Sequence, residues 1–93
     1  MDQRPVVWAA SNTKHVDRDH AERGITRDDV NEVLNDPRRI ETTEVRKGTE
    51  HHAVTGSTRN GRVLFIIWVD HPDGRFPVHA RRAGRKLAKE YFR

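Results

Sequence analysis

Apolar residues are sparse along this chain, and their densest run organises the rest. Seven consecutive apolar residues, Val63 to Val69, lie between Asn60-Gly61-Arg62 and Asp70. The run is rich in β-branched and aromatic residues and carries turn signals at both ends, which predicts a strand. It does not alternate with polar residues, so it is expected to be buried on both faces.

The remaining elements follow from shorter patterns. Pro5-Val6-Val7-Trp8 is a short apolar segment, expected as a first strand. Ser11, Asn12 and Thr13 offer N-cap side chains, and a weakly amphipathic helix is expected from about Thr13 to Arg23, with Gly24 just past its end. A second helix is better specified. Thr26 and Asp29 have capping-box spacing, Ile25 and Val30 stand at hydrophobic-staple positions, and Val30, Val33 and Leu34 form a stripe that Asn35-Asp36-Pro37 ends. From Arg38 the period becomes two. It predicts a strand to Val45, a turn at Arg46-Lys47-Gly48, a strand from Glu50 to Ser57 and an Asn60-Gly61 hairpin turn into the apolar run. His71-Pro72-Asp73-Gly74 is a loop. Arg75 to Ala80 is extended, with Pro77 restricted to an edge or a bulge. A last helix, Arg85 to Phe92, places Leu87, Ala88 and Tyr91 on one face. The expected order is β-α-α-β-β-β-β-α, an α+β class, with terminal elements covering the second face of the sheet.

Composition narrows the class. The chain has 93 residues, 33% hydrophobic and 34% charged. That predicts one domain over residues 1–93 with a thin core. It has no cysteine, so it holds neither a disulfide framework nor a thiolate metal site. No run approaches membrane-spanning length and the start lacks a signal-peptide core, so a cytoplasmic location without membrane association is expected. The net charge of +4 is placed unevenly: residues 75–93 hold seven Lys/Arg against one Glu, while residues 1–50 hold nine against eleven acids. A basic end suits a polyanion, and a solvated helix face is the plainer reading.

Trp8, Asn12, His15 and His20 fall in a W-x3-N-x2-H-x4-H pattern. Gly24-Ile25-Thr26 opens a helix, followed by Val33-Leu34-x-Asp36-Pro37, Gly61-Arg62-x-Leu64, Ala80-Arg81-x-Ala83 and Tyr91. In order and spacing these motifs resemble the BrnT family of type II toxins across nearly the whole chain. The Ala21-Glu22-Arg23 stretch before Gly24 also resembles a related uncharacterised group of the same superfamily. The resemblance implies a RelE-like fold, with two N-terminal helices and a C-terminal helix on a mainly antiparallel sheet of four to five strands. It further implies a metal-independent endoribonuclease that inhibits translation and growth, neutralised by a ribbon-helix-helix antitoxin in a hetero-oligomer. By motif, Arg62 matches the arginine of the Gly-Arg strand start, and Asp70 sits where the family usually has Glu. Arg81 matches the Ala-Arg arginine, with Arg82 the basic residue after it.

Cleavage of RNA without a metal uses the 2′-hydroxyl as nucleophile. It needs a base, an acid for the leaving oxygen, and positive charge for the phosphorane. Arg62 and Arg81 are candidates for the charge, and His20, with His15 beside it, for acid–base work among the six histidines. Asp70 would orient a histidine or an arginine, or else serve as a strand-end cap or a plain salt bridge. His51 and His52 lie on alternate faces of one strand, so at most one joins a site. Arg82, Arg85 and Lys86 are candidate RNA contacts. Tyr91 either stacks a base or packs its helix. His15 and His20 are five apart, a poor helical chelate, and no glycine loop for phosphate is present, so neither metal nor cofactor is expected. The alternative is a non-catalytic RelE-like module: a gyrase inhibitor, or a nucleic-acid- or antitoxin-binding protein. Leu87, where many members have Glu, and the three residues between His20 and Gly24 leave room for that reading.

Overall fold

A computed structural model describes residues 3–93. The side chains of His15, Val16 and residues 19–23 lie outside the described residues. The chain is α+β, in the order α1 (Ala10–Arg23), α2 (Arg27–Leu34), β1 (Ile40–Arg46), β2 (Thr49–Ser57), β3 (Val63–His71), β4 (Gly74–Arg82) and α3 (Arg85–Tyr91). The four strands form an antiparallel meander, β1-β2-β3-β4. Among the described residues, no helix is long and apolar enough to cross a membrane.

The second helix forms as its local signals require. Asp29 N–H donates to Thr26 Oγ1 (3.0 Å) and Thr26 N–H donates to Asp29 Oδ2 (3.0 Å), closing the capping box. The helix buries Val30, Val33 and Leu34 against Val54 of β2, Leu64, Ile66 and Trp68 of β3, and Ala80 of β4. Gly56 lets α2 approach, since a Cβ there would lie 3.0 Å from the Val33 carbonyl oxygen. The predicted turns divide the work differently from expectation. Lys47 and Gly48 both take positive φ (50° and 78°), the pairing of a two-residue type I′ turn. Between β2 and β3 only Gly61 does (88°), inside a longer loop in which Gly61 N–H donates to Thr58 C=O and Thr58 N–H donates to Arg62 C=O. Pro77 sits at a register shift on the edge strand β4: Trp68 pairs with Pro77 and Ile67 with His79, so Val78 is the extra residue of a bulge.

Three expectations are corrected. Residues 5–8 are not a strand: the segment makes a single parallel bridge, Val6 to Arg75. The chain leaves the sheet because Asn12, 1% exposed, ties the helix start back, accepting from Ala9 N–H (2.7 Å) and donating to Val7 C=O (2.8 Å). Hence α1 starts at Ala10, and Asn12 lies inside its first turn rather than capping it. Finally, β3 is not buried on both faces. Leu64, Ile66 and Trp68 are buried, whereas Val63, Phe65, Ile67 and Val69 are half-buried. The helices α1 and α2 cover the first face, and α3 packs against β2 without sealing the second.

One arginine locks the corner between α2, β4 and the N-terminal segment. Arg75 is 1% exposed. Its Nε donates to Arg4 C=O (2.7 Å), Nη2 to Asn35 Oδ1 (2.7 Å) and Nη1 to Leu34 C=O. The last two acceptors lie at the C-terminus of α2, where helix carbonyls lack intrahelical partners.

Candidate functional site

Pairing register brings together groups that are far apart in sequence. His52 of β2 stands directly opposite Trp68 of β3, so the two share the helix-covered face, and Asp70 lies two residues beyond Trp68 on that face. The His52 ring stacks on Trp68 at 3.9 Å between centroids, 17° from parallel. Both its nitrogens are engaged: Nδ1 with Thr43 Oγ1 (3.1 Å) and Nε2 with Asp70 Oδ2 (3.0 Å). The other Asp70 oxygen accepts from Arg4 Nη2 (2.7 Å), and the Arg4 guanidinium lies 5.6 Å from the Trp68 ring. Glu50, two residues before His52 on the same strand, completes the group: one ligand atom from each of Glu50, His52 and Asp70 lies within 4.8 Å of the others. The Arg4 guanidinium and the His52 ring hold the Asp70 carboxyl below the usual carboxylate range, although burial acts weakly against them.

This arrangement offers a titratable imidazole fixed by a stacked ring, a carboxylate that orients it, and a cation on the same carboxylate. It can move a proton and hold an anion. The side chain of His52 is 15% exposed and that of Asp70 48%, so the cluster opens to solvent at the rim.

The residues singled out in the sequence fall into different places. Asp70 accepts from Arg4 and pairs with His52, contacts that both of its readings allow. Arg62 stands at the opposite end of β3 and turns towards the helices, donating from Nη1 to Gly24 C=O (2.9 Å) and lying 3.5 Å from Asp29 Oδ2. It therefore braces the α1–α2 junction against the hairpin and does not meet Asp70. Arg81 and Arg82 pair with Phe65 and Leu64 and so lie on opposite faces, as their adjacency predicts. The Arg81 guanidinium covers the Phe65 ring at 4.4 Å and donates to Arg82 C=O (3.1 Å). Arg85 and Lys86 open α3 at the basic end of the chain. The side chains of His15 and His20 lie outside the described residues.

Tyr91 is half-buried at the end of α3. Its hydroxyl donates to Asp36 Oδ2, and its ring meets Phe92 edge-on at 5.1 Å. Asp36 also accepts from Ser57 N–H (2.8 Å) and Arg38 N–H (2.9 Å). Asp36, Tyr91 and Ser57, together with Asp28, Glu32 and Arg59, line a cleft of about 700 Å³ whose carboxylates oppose a polyanion. Burial acts to raise the Asp36 carboxyl, but the Tyr91, Ser57 and Arg38 hydrogen bonds outweigh it and hold the group below its ordinary range. Desolvation, with Asp36 as acceptor, raises the Tyr91 phenol.

Both shifts favour the pair with Asp36 ionised and Tyr91 neutral. A depressed carboxyl contributes stability above its unfolded pKa, near 3.8, and loses it as pH falls through the folded value. A raised phenol contributes below about 10 and loses it as pH rises through the folded value. Tyr91→Phe is expected to cost about 1 kcal/mol near neutrality, a charge-assisted hydrogen bond reduced by solvent screening. In thermal unfolding followed from pH 3 to pH 11, the gap from the native protein should narrow at both ends. A gap constant across that range would exclude the pair as its source.

Sequence reasoning missed Thr43, Glu50, Arg4 and the part His52 plays. The available signal was Glu50-x-His52 and Trp68-x-Asp70, two period-two pairs in predicted neighbouring strands. Only the register shows that the pairs adjoin.

Comparison with known proteins adds one finding. No curated protein matches the chain. A family model described as a domain of unknown function, DUF4258, matches residues 12–80. The match runs from the first turn of α1 into β4 and includes Thr43, Glu50, His52 and Asp70, while Arg4 and the basic segment from Arg81 lie outside it. The chain belongs to the DUF4258 family, a domain family of unknown function.

Proposed function

We propose that this protein is a RelE-like type II toxin that cleaves RNA without a metal, with His52 as its acid–base group. The observation that supports this most is the carboxylate shared by His52 and Arg4. Cleavage through the 2′-hydroxyl needs a proton acceptor and positive charge beside the phosphate, and Asp70 holds one of each (3.0 and 2.7 Å). In this reading the Nδ1 of His52, now facing the Thr43 hydroxyl, takes the proton of a substrate hydroxyl at the same position. Asp70 stabilises the imidazolium that forms, the imidazolium then gives its proton to the leaving 5′-oxygen, and Arg4 faces the phosphorane. The basic residues Arg81 and Arg82 pair with Phe65 and Leu64, about 17–20 Å from Asp70 along β3 at roughly 3.3 Å per residue; with Arg85 and Lys86 they bind nucleotides away from the cut. A ribbon-helix-helix antitoxin neutralises the toxin by covering this basic end.

The test is purified protein incubated with RNA in EDTA. Native protein should leave cyclic-phosphate ends. His52→Ala should lower the rate roughly 10²- to 10⁴-fold while remaining folded. Cleavage by His52→Ala at the native rate would remove His52 from the chemistry. RNA bound but left intact by the native protein would favour the second reading, a non-catalytic nucleic-acid-binding module. One observation supports that second reading: Arg62, the arginine expected at the phosphate, is bonded into the fold.

A further inference from the structure

We propose that Glu50, His52 and Asp70 form a binding site for a divalent transition-metal ion of the Zn2+ class. The proposal goes beyond the ribonuclease reading and does not rest on it. It starts from the donor set. One imidazole nitrogen and two carboxylates converge with their ligand atoms within 4.8 Å of one another. Zinc holds such donors at about 2.0–2.2 Å, which separates neighbouring donors by roughly 3.3 Å in a tetrahedral site. His52 Nε2 and Asp70 Oδ2 are already 3.0 Å apart. Glu50 is exposed and makes no ion pair among the described residues, so its carboxylate is free to close the remaining distance.

The supporting groups favour the same conclusion. A ligating histidine is ordinarily steered by a partner on its other ring nitrogen, and here that partner is Thr43 Oγ1 at 3.1 Å. A hydroxyl both donates and accepts. It therefore tolerates the tautomer with the proton on Nε2, which serves Asp70 now, and the tautomer with the proton on Nδ1, which leaves Nε2 to a metal. The ring need not move to change between them, and stacking on Trp68 at 3.9 Å keeps it in place. Charge points the same way. Arg4 uses Asp70 Oδ1, leaving Oδ2 on the His52 side, and Glu50 brings a second carboxylate that makes no ion pair among the described residues. Three protein ligands leave positions for water, the pattern of an open rather than a structural zinc site. Sequence spacing did not suggest this site because its ligands come from two strands. If the ribonuclease reading holds, a metal on Nε2 also disables the base, and Zn2+ inhibits cleavage; that corollary alone depends on it.

The experiment is calorimetric titration of the full chain with Zn2+ in the absence of RNA, alongside tryptophan fluorescence as a report from Trp68. Native protein is expected to bind one equivalent with a change in emission. Glu50→Gln, an exposed substitution that leaves the fold intact, should weaken binding at least about tenfold, and His52→Ala should abolish it. His51→Ala, whose ring lies on the other face of β2, should bind as the native protein does. Absence of binding by the native protein, or binding that survives both Glu50→Gln and His52→Ala, would overturn the proposal. Neither result would bear on RNA cleavage in EDTA, so the two readings fail separately.

Discussion

Arg75→Leu is expected to lower the stability of this protein by about 3 kcal/mol, the cost of leaving the buried Leu34 carbonyl and two part-buried acceptors without their donor, with the packing around the side chain lost as well. The guanidinium is buried and spans the Leu34 carbonyl, Asn35 Oδ1 and the Arg4 carbonyl. A leucine fills part of the volume and serves none of those acceptors, and two of them close the C-terminus of α2. For a chain of this size the loss corresponds to a fall in Tm of roughly 12 °C or more. Arg75→Lys should recover part of it, since an ammonium reaches one acceptor where the planar fork reaches several. Urea unfolding of the three proteins checks the order. A loss below about 1 kcal/mol for Arg75→Leu would mean that water replaces the side chain at this corner.

Gly74→Ala is expected to cost roughly 2–4 kcal/mol, combining backbone strain with a steric clash. Gly74 has φ of 146°, and a Cβ there would lie 2.2 Å from the Pro5 carbonyl oxygen. L side chains rarely adopt such a backbone conformation, whereas glycine does so at no steric cost. The Pro5 carbonyl accepts from Arg75 N–H (2.8 Å), one of the bonds that seat the N-terminal segment on β4. Gly61→Ala is the informative comparison: its φ is also positive (88°), but nothing lies within 4 Å of the added carbon. The difference in stability between the two variants isolates the Pro5 contact. In hydrogen exchange, Gly74→Ala should deprotect the amides of Val7 and Arg75, and Gly61→Ala should not. Equal losses in both variants would assign the whole effect to strain. Because Arg4 adjoins Pro5, the same variant should also weaken the Arg4–Asp70 pair, which makes the candidate site sensitive to the docking of the N-terminal segment.

How much was legible depended on the range of the interactions. The second helix is readable to within a residue because its cap, staple and stop all act within one turn. The strands β1 and β2 are readable from period two, β3 from its apolar run between turn signals, and the irregularity at Pro77 from proline's missing N–H. The segment at residues 5–8 reads as a strand from its apolar residues, but they pack beside the core while its backbone bridges at one residue. Arg62 has the look of an exposed strand-start arginine, and its acceptors, Gly24 and Asp29, are more than thirty residues away. Arg75 carries no warning of burial, since an arginine in an extended segment is ordinarily at the surface.

The sequence by itself determined the α+β class and the element order from α1 to α3, the apolar strand at the centre of the sheet, the capped helix beside it and the basic C-terminal end. Each of these is written in local periodicity, in capping or in charge placement. Only the tertiary structure decided that Val63–Val69 has one buried and one half-covered face, because burial depends on where α3 packs. Only it joined Thr43, Glu50, His52, Asp70 and Arg4 into one cluster. Strand register is set by pairing across the whole sheet, and a shift of one residue would turn His52 to the opposite face and disperse the cluster.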